Sequence, residues 1–396
     1  MRTKRLTGLV VAVSALALLA AGCSSTSTTS SPKPPTLSAA KAIGKGEGKL
    51  NLLVWAGYAE DGSTDKTVDW VTPFEKATGC KTNVQVANTS DDMFEKMGTG
   101  DFDLVSASGD SSLRMIYGGK VAPVNTDLFT NYKDIASFQK NQNWNSVNDV
   151  AYGIPHGWGA NLLAWRTDKV KPTPNSWSIV WDKDSPYAGK ITAYDSPTSI
   201  ADAAVYLKAT KPDLGIKDPY ALDQKQFDAA VALAKQQKKN VAGYWASYAD
   251  AQKAFENGTY VAGTAWQIIV NLAKANGAKV DSTLPKEGST GWADTWMIDA
   301  KSPHPNCAYE WMNHITTPAV QAQVAEWFGE APANLKACAL TADKGHCDTY
   351  FANDTKYFDQ IAFWTTPQAT CLDGRTDVKC IPYSEWTKAW SSIRNS

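Results

Sequence analysis

From residue 50 onward the chain alternates between two hydrophobic periods, and this alternation restricts it to a layered α/β architecture. LNLLVW at 50–55 is a short apolar run that reads as a buried strand. Residues 63–78 then place Val68, Val71, Phe74 and Ala77 at helical spacing, with Ser63 or Thr64 to cap the start and Gly79 the end. A second strand is expected at 81–86, a short helix at 91–97 and a third strand at 102–106. This order predicts parallel strands with helices packed on the sheet. Ligands of such sheets lie beyond the carboxyl ends of the strands, here 55–58 and 106–110. Further on, 154–165 is apolar and punctuated by glycine, the texture of a crossover. Strands are expected at 191–194, 260–266 and 293–298. Helices are expected at 200–209, 227–236, 267–275, 307–315 and 318–328, the last with Pro318 at its first position and Gly329 past its end.

The first 23 residues, MRTKRLTGLVVAVSALALLAAGC, are of another kind. Arg2, Lys4 and Arg5 precede an apolar run too short to span a bilayer comfortably, which is the layout of a secretory signal. LAAGC at 19–23 resembles a bacterial lipobox, in which the cysteine is acylated. Residues 1–22 are therefore expected to be a lipoprotein signal peptide, with lipidation at Cys23. The Ser/Thr/Pro-rich stretch that follows cannot bury a core, so 23–48 is expected to be a lipidated flexible tether. The protein is expected outside the cytoplasm, anchored to the cell membrane.

Charge and cysteine usage agree with export. Without the three basic residues of the signal, 36 Lys and Arg face 40 Asp and Glu, a net charge of −4. That argues against nucleic acid or an anionic membrane surface as a partner. Besides Cys23 there are six cysteines. Cys338 with Cys347 and Cys371 with Cys380 suggest two local loops, leaving Cys80 with Cys307. The competing reading, a zinc site, needs closer Cys spacing and nearby histidines; only His346 beside Cys347 hints at it. Disulfides suit an oxidising compartment better.

Motifs for chemistry are missing. There is no G-x-S-x-G, H-E-x-x-H or Walker loop. SASGDSS at 106–112 is rich in hydroxyls, but no histidine has an evident reason to lie near it. What is abundant is tryptophan, 16 in all, several next to acidic or amide residues at expected strand ends. Indole faces attract cations or stack on sugar rings, although aromatics also dominate cores. GWADTW at 291–296 poses the question most directly, because Asp294 sits between two tryptophans and a carboxylate resists burial unless it is paired.

The order of motifs resembles the spermidine/putrescine-binding proteins of ABC importers: LLVWAGYAEDG, FDLVSASGD, YGIPHGWGANLLAW, SPYAGKITAYDSPT, GTYVAGTAWQ and LPKEGSTGWADTWMI. The resemblance covers roughly 50–337. It implies a two-lobed periplasmic-binding-protein-like fold with the ligand in the cleft. On that basis 49–157 and 293–337 are expected to form lobe 1, and 158–292 and 338–396 lobe 2. It also implies that Trp55 and Tyr58 follow the first strand as cleft aromatics, that Ser108 touches ligand, that Trp266 is a cleft Trp, and that Trp292 and Asp294 are an aromatic and an amine-binding carboxylate. Asp294 would then be paired with an ammonium group of the ligand, and hydrated in an open cleft without it.

Three positions depart from the family. Asp110 stands where an aromatic would align, Ser199 near an acidic residue, and Glu330 where Tyr is frequent; all three are candidate ligand contacts. YWASY at 244–248, with Trp245 the site candidate in it, could add aromatic walls through Tyr244, Trp245 and Tyr248, with core packing the equal competing reading. The expected function is a lipid-anchored binding protein for a polyamine or related organic cation, monomeric and without cofactor, that delivers its ligand to an ABC permease. The same fold holding a sugar, amino acid or quaternary amine is the alternative. A surface hydrolase using Ser108 or Ser111 is a third reading, weakened by the lack of an activating base.

Overall fold

The computed structural model describes residues 33–396, so the expected signal peptide, Cys23 and the first part of the tether lie outside the described residues. Fourteen strands among the described residues form two mixed sheets and one hairpin. The first sheet holds β1 (Lys49–Val54), β2 (Lys81–Val86) and β3 (Leu104–Ser108), then, past the hairpin of β4 (Ser146–Val147) and β5 (Val150–Ala151), β6 (Ile154–Ala160). The second holds β7 (Leu162–Arg166), β8 (Ile191–Tyr194), β9 (Val241–Trp245), β10 (Ala262–Ala265) and β11 (Val280–Thr283). The chain then returns to the first sheet through β12 (Ser289–Ile298), β13 (Ala331–Pro332) and β14 (Ile361–Phe363).

Strand order in the first sheet is β13-β6-β12-β3-β1-β2, with β14 paired to β12; in the second it is β11-β7-β10-β8-β9. The expected parallel pairing holds for β1 with β2 and β3, and for β8 with β9 and β10. β12 is the exception that shapes the site: it runs antiparallel between β3 and β6, and all ten of its residues are buried.

The sheets divide the chain at places other than the expected lobe boundaries. The first crossing falls at Asn161, between β6 and β7, not at 157/158. The return is complete by Ser289, so Trp292 belongs to the first sheet. Residues 338–396 do not go to one lobe. Cys347, Phe358 and Phe363 pack with Trp158 of the first sheet, whereas the helix Tyr383–Arg394 packs on the helix Gln224–Lys238 beside the second.

Three crossing segments therefore lie side by side. The Asn161 amide N–H donates to the Thr290 carbonyl at 2.9 Å, and the Trp364 amide N–H to that of Gly291 at 2.7 Å. Each sheet carries its own apolar core, one containing Leu52, Phe74 and Trp311, the other Trp181, Ile200 and Phe255.

Local sequence explains several element ends. Asp223 and Gln226 form a reciprocal cap on Gln224–Lys238. Gly329 closes Pro318–Phe328 with φ 82°, a conformation that glycine adopts without steric cost. The helix expected at 63–78 begins only at Val71. Before it, Asp61 and Asp65 accept hydrogen bonds from the Ser63 and Thr67 backbone, and such local bonds compete with the helix. The three disulfides are Cys80–Cys307, Cys338–Cys347 and Cys371–Cys380, the pairing the spacing suggested. Among the described residues no helix is long and apolar enough to cross a membrane, and no group of His, Cys, Asp and Glu has the arrangement of a metal site.

Candidate functional site

The site is built around the middle of β12. Trp292 and Asp294 alternate with Ala293 and so share a face, and a register irregularity follows at Asp294/Thr295. Asp294 lies opposite Ser108 on β3 and Gly157 on β6. β6 supplies two glycines on one face, and each is needed for space. A Cβ on Gly159 would come within 2.6 Å of the Trp292 ring, and one on Gly157 within 2.4 Å of the Glu330 carboxyl.

Above this floor opens a pocket with about 560 Å³ of empty space, the open solvent at its mouth included. Aromatic walls come from both sheets and from the crossing: Trp55, Tyr248, Trp266, Trp292, Phe328 and Trp364. Asp294 and Ser108 supply the polar floor, and Asn88 and Ser247 also line it. Trp266 and Trp292 are 6.5 Å apart edge to face, and Trp292 and Phe328 5.6 Å. Trp266 is oriented by its indole N–H, which donates to Asn161 Oδ1 at 3.0 Å; Asn161 in turn donates to Thr290 Oγ1 at 2.7 Å. The pocket wall is thus tied to the first crossing and the return.

Asp294 is 3% exposed and has protein partners, so the expectation of a hydrated carboxylate does not hold in this structure. Ser108 Oγ donates to its Oδ1, and Tyr58 Oη lies 2.8 Å from its Oδ2. Burial pushes its pKa up to about 7; the two hydrogen bonds pull it down, and the nearby Asp110 charge raises it further. Tyr58 Oη is also 3.0 Å from Glu330 Oε2. Beyond Glu330 lies His156, whose Nε2 is 3.4 Å from Oε1, while its Nδ1 accepts from the Trp296 indole at 3.0 Å. Burial lowers the His156 pKa to about 3, so the ring is neutral.

Five of the sequence candidates line the pocket: Trp55, Ser108, Trp266, Trp292 and Asp294. The other five do not. Tyr58 is wholly buried beneath it, between His156 and Phe328. Glu330, expected as a ligand carboxylate, lies behind Tyr58. Asp110, at the start of the helix Gly109–Tyr117, accepts from Ser90 Oγ at 2.7 Å. Ser199 donates to the Tyr194 carbonyl at 2.7 Å. Trp245 is a second layer, its indole N–H bonded to the Thr264 carbonyl at 2.9 Å and its ring edge-on to Trp266. The competing reading of core packing applies to Trp245.

Sequence reasoning did not assign Phe328 or Trp364 as walls; Tyr248 belonged to the 244–248 stretch held open between wall and core, and it lines the pocket. Phe328 carried a weak signal, lying close to Glu330. Trp364 carried none, because its place depends on the third crossing.

Two bodies of mixed sheet, three crossings and a walled pocket at the joint define a binding protein. Residues 69–359 match the family described as bacterial extracellular solute-binding protein, and the chain belongs to that family. The spermidine/putrescine-binding periplasmic protein of Escherichia coli K12 is 28% identical over 305 residues, covering 74% of this chain and 84% of that one. Among solved structures, the Tp0655 (TpPotD) lipoprotein of Treponema pallidum has a TM-score of 0.71 at 18% identity, covering 88% of this chain and 100% of that one. The spermidine/putrescine transporter substrate-binding protein PotD of Streptococcus pneumoniae has a TM-score of 0.67 at 18% identity, covering 87% and 99%.

Proposed function

We propose that this chain is the substrate-binding component of an ABC importer, holding a polyamine of the spermidine/putrescine class or a related organic cation and delivering it to a membrane permease. Anchoring through Cys23, a monomeric state and the absence of chemistry belong to the same reading. The observation that carries it is Asp294 set in a pocket walled by six aromatic side chains. Indole faces attract an ammonium group and bury the methylenes beside it, while the carboxylate fixes the charge by a charge-assisted hydrogen bond. The similarity to the spermidine/putrescine-binding protein of Escherichia coli supports the ligand class.

A second reading rests on one fact: among the described residues, Asp294 is the only acidic one lining the pocket. A single carboxylate in an aromatic box also suits a monocation such as a quaternary ammonium compound. The hydrolase reading loses support. Ser108 donates to a carboxylate, and the described imidazole nearest the site, His156, is committed to Trp296 and faces Glu330.

The test is calorimetric titration of protein lacking residues 1–23, unfolded and refolded to strip carried-over ligand. Spermidine, putrescine, a betaine, an amino acid and a disaccharide are compared. Heat from the polyamines is expected, lost at least about 100-fold in affinity in Asp294→Asn through loss of the charged partner. Heat from the betaine alone selects the second reading. Heat from the disaccharide alone discards the cation.

A further inference from the structure

Tyr58 lies between two carboxyl groups. Its oxygen is 2.8 Å from Asp294 Oδ2 and 3.0 Å from Glu330 Oε2. A phenol has one proton to donate. Two ionised carboxylates at those distances would leave one oxygen–oxygen contact without a proton, at a buried site. A second proton must therefore sit on one of the two acids.

The surroundings decide which. Asp294 lines the pocket and accepts from Ser108 as well as Tyr58. Glu330 is 1% exposed. The groups that face it are Tyr58 after β1, Asp294 on β12 and His156 on β6, with His346 and Tyr350 from the section after β13. His156 is held neutral with its proton on Nε2, because Nδ1 accepts from Trp296; at 3.4 Å this proton makes only a weak contact with Glu330 Oε1. His346 bonds the Glu330 backbone carbonyl at 2.8 Å, not the side chain. Tyr350 carries no charge, because burial pushes its phenol up. No lysine or arginine among the described residues forms an ion pair with Glu330.

We propose that Glu330 is held as a neutral carboxylic acid whose proton is donated to Tyr58 Oη, so that Tyr58 in turn aims its own proton at Asp294. The site then presents one negative charge to its ligand where Asp294 and Glu330, both ionised, would present two. Glu330 is a positioning residue and not a ligand carboxylate. The consequence for ligand choice rests on the cation-binding reading above; the proton placement does not. Burial, and the Asp294 charge behind it, push the Glu330 pKa well up, which agrees.

The decisive measurement needs no ligand. Glu330 is the only buried glutamate among the described residues. In protein labelled with carbon-13 at glutamate carboxyls, the isotope-shifted infrared band of a protonated acid is expected to persist at neutral pH, where exposed glutamates have ionised. It should vanish in Glu330→Gln. No such band in the wild type overturns the proposal, whether or not the variant folds.

Binding gives the second readout. Glu330→Leu removes the donor to Tyr58 and should weaken cation binding about tenfold, while Glu330→Gln, which keeps an N–H donor, should restore most of it. In the Gln variant the pH midpoint of binding should stay within about half a unit of wild type, because no charge has been removed. A midpoint lowered by about a unit or more would mean that Glu330 had been ionised, and would overturn the assignment. A protein that shows the band yet binds no cation would remove the functional reading and uphold the proton placement.

Discussion

At the residue scale, Asp110, Asp202 and Asp294 all have pKa values pushed to about 7, primarily by burial. For Asp294 this sets the pH response of binding. An ammonium ligand needs the ionised form, so affinity is expected to fall by up to about tenfold per unit as pH drops below about 7. Titrations between pH 5 and pH 9 check this, and a flat profile would exclude Asp294 as the charged partner. Asp202 bears on stability. It accepts a hydrogen bond from Thr290 Oγ1 at the return crossing. Its folded pKa lies above the unfolded 3.8, so its stabilising proton is held at low pH and lost as pH rises through the folded value. Asp202→Asn lacks that loss. It should unfold like wild type near pH 4 and be more stable at pH 8, by an amount on the order of 1–3 kcal/mol. Denaturant melts at the two pH values decide, and equal stability at both would mean that Asp202 is solvated.

At the element scale, the strands carry the site and the crossings carry its geometry. Asn161 links the Trp266 indole to Thr290 across the first crossing and the return. Asn161→Ala should leave both cores folded, yet free the Trp266 ring and weaken binding about tenfold by removing two buried hydrogen bonds. Trp fluorescence anisotropy and calorimetry read this. Unchanged affinity would show that Trp266 is positioned by its ring packing against Trp245, Tyr194 and Trp292.

This is also the scale at which the sequence was readable. The strand 191–194 and the helices 267–275 and 318–328 stand where hydrophobic period and caps placed them. The W-x-D pair pointed to the pocket floor because alternation puts both side chains on one face. Depth was not readable. Alternation fixes which face Tyr58, Asp110 and Glu330 take, but not whether a ring stands between them and the cavity. The strand Val241–Trp245 and the helix Tyr248–Asn257 escaped because YWASY reads equally as wall or core. The strand is placed by pairing with β8, Val241 opposite Ile191, and Trp364 by its bond to Gly291, contacts between separate segments that no local pattern encodes.

At the scale of the whole molecule, the two sheet bodies meet along the pocket and also touch beyond it. Tyr350, in the section after β13, accepts from Asn271 Nδ2 on the helix Gln267–Ala275. Tyr383 Oη donates to Asp91 Oδ1 at 3.1 Å, and the Arg114 guanidinium lies 4.4 Å over the Tyr383 ring. Such contacts exist only while the bodies are together, so they act on opening more than on encounter. Tyr350→Phe should raise the ligand dissociation rate about three- to tenfold with little change in association. Stopped-flow release of a bound cation measures it, and an unchanged off-rate would show that the contact contributes nothing to closure.

The three crossings leave residues 44–47 on the first body, bonded to Asn306 and Cys307, and the helix Tyr383–Arg394 on the second. Lys45 and Lys388 are both exposed, so dyes placed there would ride on opposite halves of the molecule. All six cysteines of the described residues are locked in disulfides, which leaves an introduced thiol as a selective handle for labelling. Energy transfer between such dyes would turn this binding protein into a fluorescent sensor of its own cargo.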